Sequence, residues 1–515
     1  MASLNFKGKS AVWNHHLSVP YHTLDLDVKK SRKGADSDEN LIIHGDNLLA
    51  LKALLPKYQG RIKCIYIDPP YNTGNENWVY NDKVNSPLIK EWLGKTVAKD
   101  DLTKHDKWLC MMTPRLKLLR DLLADDGVIF VSIDDNEQAH LKNLMDEIFD
   151  EGNFIGELIH QRAKGGGQAK QVVKGHDYIC AYAKNIDSGI VLRRAKVIQQ
   201  DVVEIDGKEY LRDDDVVRKQ FGKYDKSLGD RRCFYEELEK YKGPTKKKEI
   251  DEKIKTGELV LEKHRNGMRL IVRYTLLDET SSKLYSIIKV LSEDGKDDLA
   301  DLGIQGFNYP KPVELIRQLI QSVILNSNTK NEIILDSFAG SGTTAHAVIN
   351  LNKEDGGNRK FILVEMEDYA DKITAERVRR VIKKDKLKTG FSFYNLGPAI
   401  DAETILTGKL PTYEQFAKYV FYLATGKNLK DEKKIKEKEY FVGKDGNETI
   451  YLLYKQDPEA LKTLAITLDW AQMAHGKHAD KKIVYAPACY LDEESLDKFN
   501  IQFVSIPYNL FEKTT

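Results

Sequence analysis

Apolar and polar residues fall along the chain in blocks that predict strand–loop–helix units. IKCIYI (62–67) is a short apolar run closed by Asp68-Pro69-Pro70-Tyr71, which has the length and punctuation of a buried strand. In WLCMMTPRLKLLRDLLADDG (108–127), Leu116, Leu119, Leu122 and Leu123 recur at helical spacing, and Gly127 is placed to supply a left-handed cap. VIFVSI (128–133) reads as a second buried strand, after which Asp134 and Asp135 open a helix carrying Leu141, Leu144 and Ile148. Farther on, EIILD (332–336) runs into Ser337-Phe338-Ala339-Gly340-Ser341-Gly342-Thr343-Thr344; AHAVINLN then reads as a helix and FILVE (361–365) as the next strand. Alternation of this kind predicts an α/β fold with a doubly wound, mostly parallel sheet.

Two stretches break the pattern. Residues 187–300 are charged, contain KKKEIDEKIK and carry short β-like runs, GELVLE and RLIVRY, so they read as an inserted domain. After residue 397 come a helix (TYEQFAKYVFYLATG), a hairpin (EYFVGKDGNETIYLLYK) and two further apolar runs, KKIVYAPACYL and IQFVSIPYNLF. The expected organisation is an N-terminal arm (1–40), a first α/β half (41–186), the insert (187–300), a second α/β half (301–396) and a small α/β domain (397–515).

Composition narrows the class of protein. The 515 residues suffice for several domains, and no run of about 18 apolar residues occurs, so no helical membrane span is expected. The opening MASLNFKGKSAVWNHHL lacks the apolar core of a signal peptide, which predicts a cytoplasmic protein. Five scattered cysteines form no C-x-x-C pair, so neither a disulfide framework nor a zinc ribbon is expected. A net charge of +1 from 80 basic and 79 acidic residues argues globally against a polyanion binder. Locally the balance differs. Residues 160–200 hold eight Lys/Arg against two Asp, and residues 371–390 hold eight against three acidic residues. Such stretches, including the Gly165-Gly166-Gly167 loop, are either solvated faces or phosphate contacts.

Two constellations carry chemistry. In Gly340-Ser341-Gly342-Thr343-Thr344-Ala345 the glycines allow close backbone approach and the following helix offers its N-terminal amides to a ligand. With Glu365 closing the next strand, 23 residues after Gly342, the pattern admits either a nicotinamide dinucleotide or the adenosyl group of S-adenosylmethionine. It lacks the lysine of a P-loop. In Asp68-Pro69-Pro70-Tyr71 two prolines fix the backbone at a strand's carboxyl end, beside an acid and an aromatic ring. A planar amine can donate to the carboxylate and to the Pro69 carbonyl while its ring stacks on Tyr71. Either motif alone is also a plain structural turn.

DPPYNTG (68–74), followed much later by DSFAGSGTT (336–344), resembles the β-class amino-methyltransferases of DNA, in which the catalytic motif precedes the cofactor motif and a target-recognition region lies between. LIIHGDNLLALKALLPKYQGRIKCIYIDPPYNTG (41–74), WVYND (78–82), VIFVSIDDNE (128–137), GHDYICAYAKN (175–185), NYPKPVELI (308–316) and GGNRKFILVE (356–365) more narrowly resemble the modification (Mod) subunits of type III restriction–modification systems. The likeness covers residues 40–185 and 300–395.

The resemblance implies a Rossmann-like methyltransferase fold with S-adenosylmethionine as cofactor and no metal. The implied reaction is methylation of the adenine N6 amino group in double-stranded DNA after base flipping. It assigns the catalytic motif to Asp68, Pro69, Pro70 and Tyr71. It assigns the cofactor loop to Asp336, Phe338, Ala339, Gly340, Ser341, Gly342 and Thr343, with Glu365 on the ribose hydroxyls. Asp46 falls at the position beside the cofactor adenine, although it also precedes a helix and can be its N-cap. Lys311 falls in the segment that closes over the cofactor's carboxylate, and His176, Asp177 and Tyr178 fall where flipped-base contacts lie or where a polar group supports the sheet. A homodimer and a restriction (Res) subunit are the implied partners. N4-cytosine methylation and an orphan adenine enzyme remain alternatives. A nicotinamide-dependent dehydrogenase leaves D-P-P-Y unexplained.

Overall fold

The computed structural model describes residues 3–73, 104–163, 172–195, 202–220, 222, 229–276, 281–325, 329–401, 404, 410–429 and 431–506. WVYND (78–82) and the Gly165–Gly167 loop lie outside the described residues. Two compact units emerge, one of residues 1–191 and 285–515, the other of residues 192–284.

The first unit is organised by a ten-stranded sheet. Its strands are β1 (His22–Leu26), β2 (Leu41–His44), β3 (Ile62–Ile67), β4 (Leu123–Ile133), β5 (Phe154–Gln161), β6 (His176–Ala183), β7 (Ile287–Ile288), β8 (Ile333–Asp336), β9 (Lys360–Glu365) and β10 (Ser392–Ala399). They run in the order β1-β10-β2-β9-β8-β3-β4-β6-β5-β7. From β10 to β4 every neighbouring pair is parallel, while β1 and β6 run against their neighbours. The principal helices are α1 (Asn47–Tyr58), α2 (Lys104–Leu122), α3 (Gln138–Phe149), α4 (Val313–Ile324) and α5 (Thr343–Asp355). The α/β doubly wound expectation is met.

Central strands are apolar on both faces because helices cover both, so they read as continuous runs. Ile65, Ile67, Val131, Ile362 and Val364 share a core with Leu51, Leu119 and Leu144, from α1, α2 and α3. The opposite face carries Cys64, Tyr66, Phe130, Ile334 and Phe361, all at most 2% exposed, and α4 and α5 pack on that side of β3, β8 and β9. The chain leaves β8 through α5 towards β9 and leaves β3 through α2 towards β4. Those departures are in opposite directions, so the carboxyl ends of β8 and β3 form a switch point, the usual ligand crevice of open α/β sheets.

The predicted helix over 108–127 ends earlier. Residue 122 is its last, and Leu123 already pairs with Ile62 before a register shift brings Val128 opposite Cys64. Gly127 is not a left-handed cap. A Cβ there would meet the Ile62 carbonyl oxygen at 2.8 Å, so close strand approach requires the glycine.

The 192–284 unit pairs Val260–Lys263 with Arg269–Leu276 as an antiparallel hairpin and contains the helix Leu238–Lys255. Residues 285–300 belong to the first unit, where β7 pairs with β5. The C-terminal strands Phe441–Asp445, Glu448–Leu452, Lys481–Ala486 and Ile501–Ser505 form a four-stranded sheet. Helix Tyr413–Thr425, capped by a Thr412–Gln415 box and by left-handed Gly426, lies over it. Tyr419 of that helix stacks on Tyr21 at 4.5 Å, within the same compact unit as the large sheet.

Candidate functional site

Strand β3 delivers Asp68, and the two prolines carry the chain across its end. Trp108 of α2, fully buried, donates its indole N–H to the Pro70 carbonyl at 2.7 Å and so fixes the turn from below. The Tyr71 hydroxyl donates to Asp68 Oδ1 at 2.8 Å. Lys311, from the segment before α4, places its ammonium 2.9 Å from the same Oδ1 and 2.6 Å from the Tyr71 hydroxyl oxygen. Among the described residues both contacts fall on Oδ1, which leaves Oδ2 as the carboxylate oxygen for an incoming donor. Burial and the neighbouring Asp68 charge push the Tyr71 phenol well above its ordinary range, so it stays protonated. Asn72 ends the turn in the left-handed region at φ 60°, its amide held by the Lys104 carbonyl and by Glu137.

Beside it, β8 delivers Asp336 into the glycine-rich turn. Asp336 is buried and ties the turn together, accepting from the Phe338 N–H at 3.0 Å and the Thr344 hydroxyl at 2.5 Å. Burial raises its carboxyl to about 7. Gly340 and Gly342 take φ of 53° and 80°, conformations that favour glycine, and a Cβ on Gly342 would meet the Thr374 carbonyl oxygen at 2.9 Å. Arg377, buried with no exposed surface, donates to both the Ser341 and Thr343 hydroxyls at 2.8 Å. Thr343 in turn donates to the Lys311 carbonyl at 3.1 Å, which links the two motifs. Glu365, at the end of β9, accepts from Gly340 N–H at 2.7 Å and from Glu367 N–H at 3.0 Å. Its burial raises the carboxyl to about 7.

Asp68, Pro69, Pro70, Tyr71, Lys311, Asp336, Phe338, Ala339, Gly340, Ser341, Thr343 and Glu365 line one cavity of about 1130 Å³. Single-ligand pockets run to roughly 300–1,000 Å³, so this one has room for two partners. Gly342 sits behind the lining as the N-cap of α5. Asp46 is outside the lining and acts as the N-cap of α1, accepting from Leu48 N–H at 2.8 Å. Asp177 reaches the cavity, paired with Arg162 at 3.2 Å and with its carboxyl raised by burial, whereas His176 and Tyr178 do not line it.

Several contributors escaped the sequence reading. Phe307 and Tyr369 meet edge to face at 5.4 Å on the cavity wall beside Gly340 and Glu365. Trp108 and Arg377 look like ordinary helix residues in sequence, and no periodicity separates them from core or surface. The basic run 371–390 is partly internal: Arg377 is buried, and Arg379 and Arg380 pair with Asp371 and Glu376.

A doubly wound sheet with a glycine-rich turn and a D-P-P-Y turn side by side at its switch point defines a Rossmann-like enzyme of the methyltransferase class. The chain belongs to the DNA methylase family, whose N6/N4 methyltransferase pattern matches residues 62–376, and it is a DNA methyltransferase. It is 32% identical over 457 residues to the type III restriction-modification enzyme EcoPI Mod subunit of Escherichia phage P1, covering 74% of this chain and 68% of that one. It is also 32% identical over 372 residues to the type II methyltransferase M.KpnI of Klebsiella pneumoniae, covering 67% and 84% respectively. Among solved structures it is similar to the PvuII DNA methyltransferase (cytosine-N4-specific), with 13% identity, coverage of 67% and 89%, and a TM-score of 0.36.

Proposed function

We propose that this chain methylates the N6 amino group of adenine in double-stranded DNA, with S-adenosylmethionine as donor, as the Mod subunit of a type III restriction–modification system. The observation that carries this reading is the meeting, in one cavity, of a D-P-P-Y turn and a glycine-rich turn that stand 268 positions apart between Asp68 and Asp336. The cofactor's chemistry fits the residues present. Gly340 and Gly342 keep the turn free of side chains, Phe307 and Tyr369 offer aromatic surface, and buried Glu365 presents a carboxylate suited to ribose hydroxyls. When bound, the cofactor supplies an electrophilic methyl group on a sulfonium, so the protein need not activate the donor.

The chain's own residues then position the acceptor. Oδ2 of Asp68 and the Pro69 carbonyl accept the two amine hydrogens and draw the nitrogen lone pair towards the donor. Tyr71 stacks on the base, worth about 1–3 kcal/mol in comparable aromatic–base contacts. Orientation of this kind contributes on the order of 7–11 kcal/mol at best. Asp68 shapes the amine, and the proton leaves after transfer, when the nitrogen has become acidic. Base extrusion costs about a few kcal/mol and is offset by this stacking and by phosphate contacts. Arg162 and Asp177 at the cavity edge are assigned to the flipped base, and Lys311 to the cofactor's carboxylate once its ammonium leaves Asp68. Asp46 contributes by setting the start of α1.

The separate 192–284 unit supports assigning target recognition to the 187–300 insert, and residues 397–515 are assigned to docking a restriction subunit or a second copy of the chain. Among the described residues no helix is long and apolar enough to cross a membrane.

Titration calorimetry with S-adenosylmethionine and with NAD, followed by mass spectrometry of nucleosides from treated DNA, tests the proposal. The expected result is sulfonium-ligand binding and N6-methyladenine, with Asp68→Ala keeping the binding and losing the product. N4-methylcytosine as the product would overturn the adenine assignment. NAD binding in place of the sulfonium would overturn the whole reading.

A further inference from the structure

We propose that His105, Glu137 and His140 form a site for a divalent transition metal of the zinc class, outside the reaction cavity and directly behind the D-P-P-Y turn. His105 is the second residue of α2, Glu137 immediately precedes α3, and His140 is its third residue. One ligand atom from each lies within 4.8 Å of the other two. His105 Nδ1 is 2.7 Å from Glu137 Oε1, and His140 Nδ1 is 3.0 Å from Oε2. The two rings stack at 4.6 Å.

The second of those pairs is not a hydrogen bond. Among the described residues, Oε2 of Glu137 and Nδ1 of His140 are both buried and both lack a hydrogen-bond partner, although they face each other. A nitrogen and a carboxylate oxygen that converge out of line have the disposition of two ligands aimed at a common cation. Glu137 is also 0% exposed. A buried carboxylate needs a compensating charge, and among the described residues its ion-pairing partners are these two imidazoles.

The donor set selects the metal. Two imidazole nitrogens and one carboxylate oxygen suit zinc, cobalt or nickel, whereas calcium and magnesium prefer all-oxygen shells. Tetrahedral zinc with bonds of about 2.0–2.1 Å spaces its ligand atoms by about 3.3 Å, and three ligand atoms within 4.8 Å of one another reach one ion by side-chain adjustment. Three protein ligands leave a fourth position for water. Both histidine side chains are about one-third exposed, at 35% and 36%, which provides an entry path.

Such a metal would tie three segments together. Glu137 also holds the amide of Asn72, whose left-handed backbone ends the catalytic turn. Metal binding at Glu137 therefore clamps the turn, the start of α2 and the start of α3, and takes no part in methyl transfer.

The test uses the full chain, purified without a polyhistidine tag and stripped with chelator, titrated with Co(II) and followed by visible absorption, with Zn(II) as competitor. The expected result is one saturable Co(II) per chain that Zn(II) displaces, at least about tenfold weaker in both Glu137→Gln and His140→Asn. Circular dichroism identifies variants that keep the fold. His140→Asn, on a partly exposed ring, serves should the buried Glu137→Gln fail to fold. The absence of a saturable band in the wild-type chain would overturn the site, as would a band that persists undiminished in a folded variant.

Discussion

Replacing Glu365 by Gln isolates the cost of holding a carboxylate ready in a buried site. Burial raises this group from 4.5 in the unfolded chain to about 7 in the folded one, so the fold favours its protonated form. The stabilisation associated with that protonated carboxyl is fully present below about pH 4.5 and is lost as pH rises through about 7. At about 1.4 kcal/mol per pH unit, the loss amounts to about 3 kcal/mol by pH 8.5. Glutamine mimics the neutral carboxyl. Its single carbonyl oxygen can serve one of the two N–H donors, Gly340 or Glu367, and losing the other costs about 1 kcal/mol. The ligand-free variant should therefore be about 1 kcal/mol less stable than the parent near pH 3.5, and about 2 kcal/mol more stable near pH 8.5. Asp336, also raised to about 7, is present in both proteins, so most of its pH dependence cancels in the difference. Urea unfolding at the two pH values measures this crossover. Parallel stability curves would refute the argument, because they would mean that Glu365 is solvated and carries no burial cost. The same substitution should weaken S-adenosylmethionine binding at high pH, where the parent carboxylate is charged.

Trp108→Phe keeps the buried ring but removes the donor to the Pro70 carbonyl; the expected loss is about 1–2 kcal/mol in stability and a lower kcat with KM for DNA little changed, read by steady-state methylation. Gly342→Ala forces a φ of 80° on an alanine and sets its Cβ 2.9 Å from the Thr374 oxygen, so about 1–3 kcal/mol of stability and much of the cofactor affinity should go, by thermal melting and calorimetry. Tyr71→Ala removes the proposed stacking surface; target-base extrusion, followed with a fluorescent base analogue, should weaken by about 1–3 kcal/mol while cofactor binding holds.

The strands were readable because both of their faces are buried. A run such as IKCIYI or FILVE needs no partner information to be recognised, and β3 and β9 begin and end within a residue of their expected positions. The end of α2 was not readable, because its last turn and the start of β4 share one apolar run, Leu122-Leu123. What divides them is the pairing of Leu123 with Ile62, a contact with a residue 61 positions away. The same limit applies to the far edge of the insert. Residues 285–300 look charged and irregular in sequence, yet β7 pairs with β5, so that stretch joins the large sheet.

In the site, legibility followed backbone constraint. Glycines and prolines announce where the chain approaches a ligand, so the two turns and the carboxylates at their strand ends could be named from sequence. Residues that act through long side chains could not. Lys311 illustrates the difference: sequence position gave it a place near the cofactor, but only the fold brings its ammonium to Oδ1 of Asp68, 243 positions earlier. Arg377 is a stronger case. It lies in a run of eight basic residues that reads as a solvated or DNA-facing surface, yet it has no exposed surface and holds the Ser341 and Thr343 hydroxyls. Burial draws its guanidinium down to about 10, against the opposing pull of Asp298, and it is still charged at neutral pH, so a positive charge sits permanently beneath the glycine-rich turn. Its charge acts on Asp298 and His346, while Asp336 and Glu365 are carried to about 7 by burial. A residue that charge counting assigns to the surface thus works inside the fold, which is why a net charge of +1 said so little about what the cavity binds.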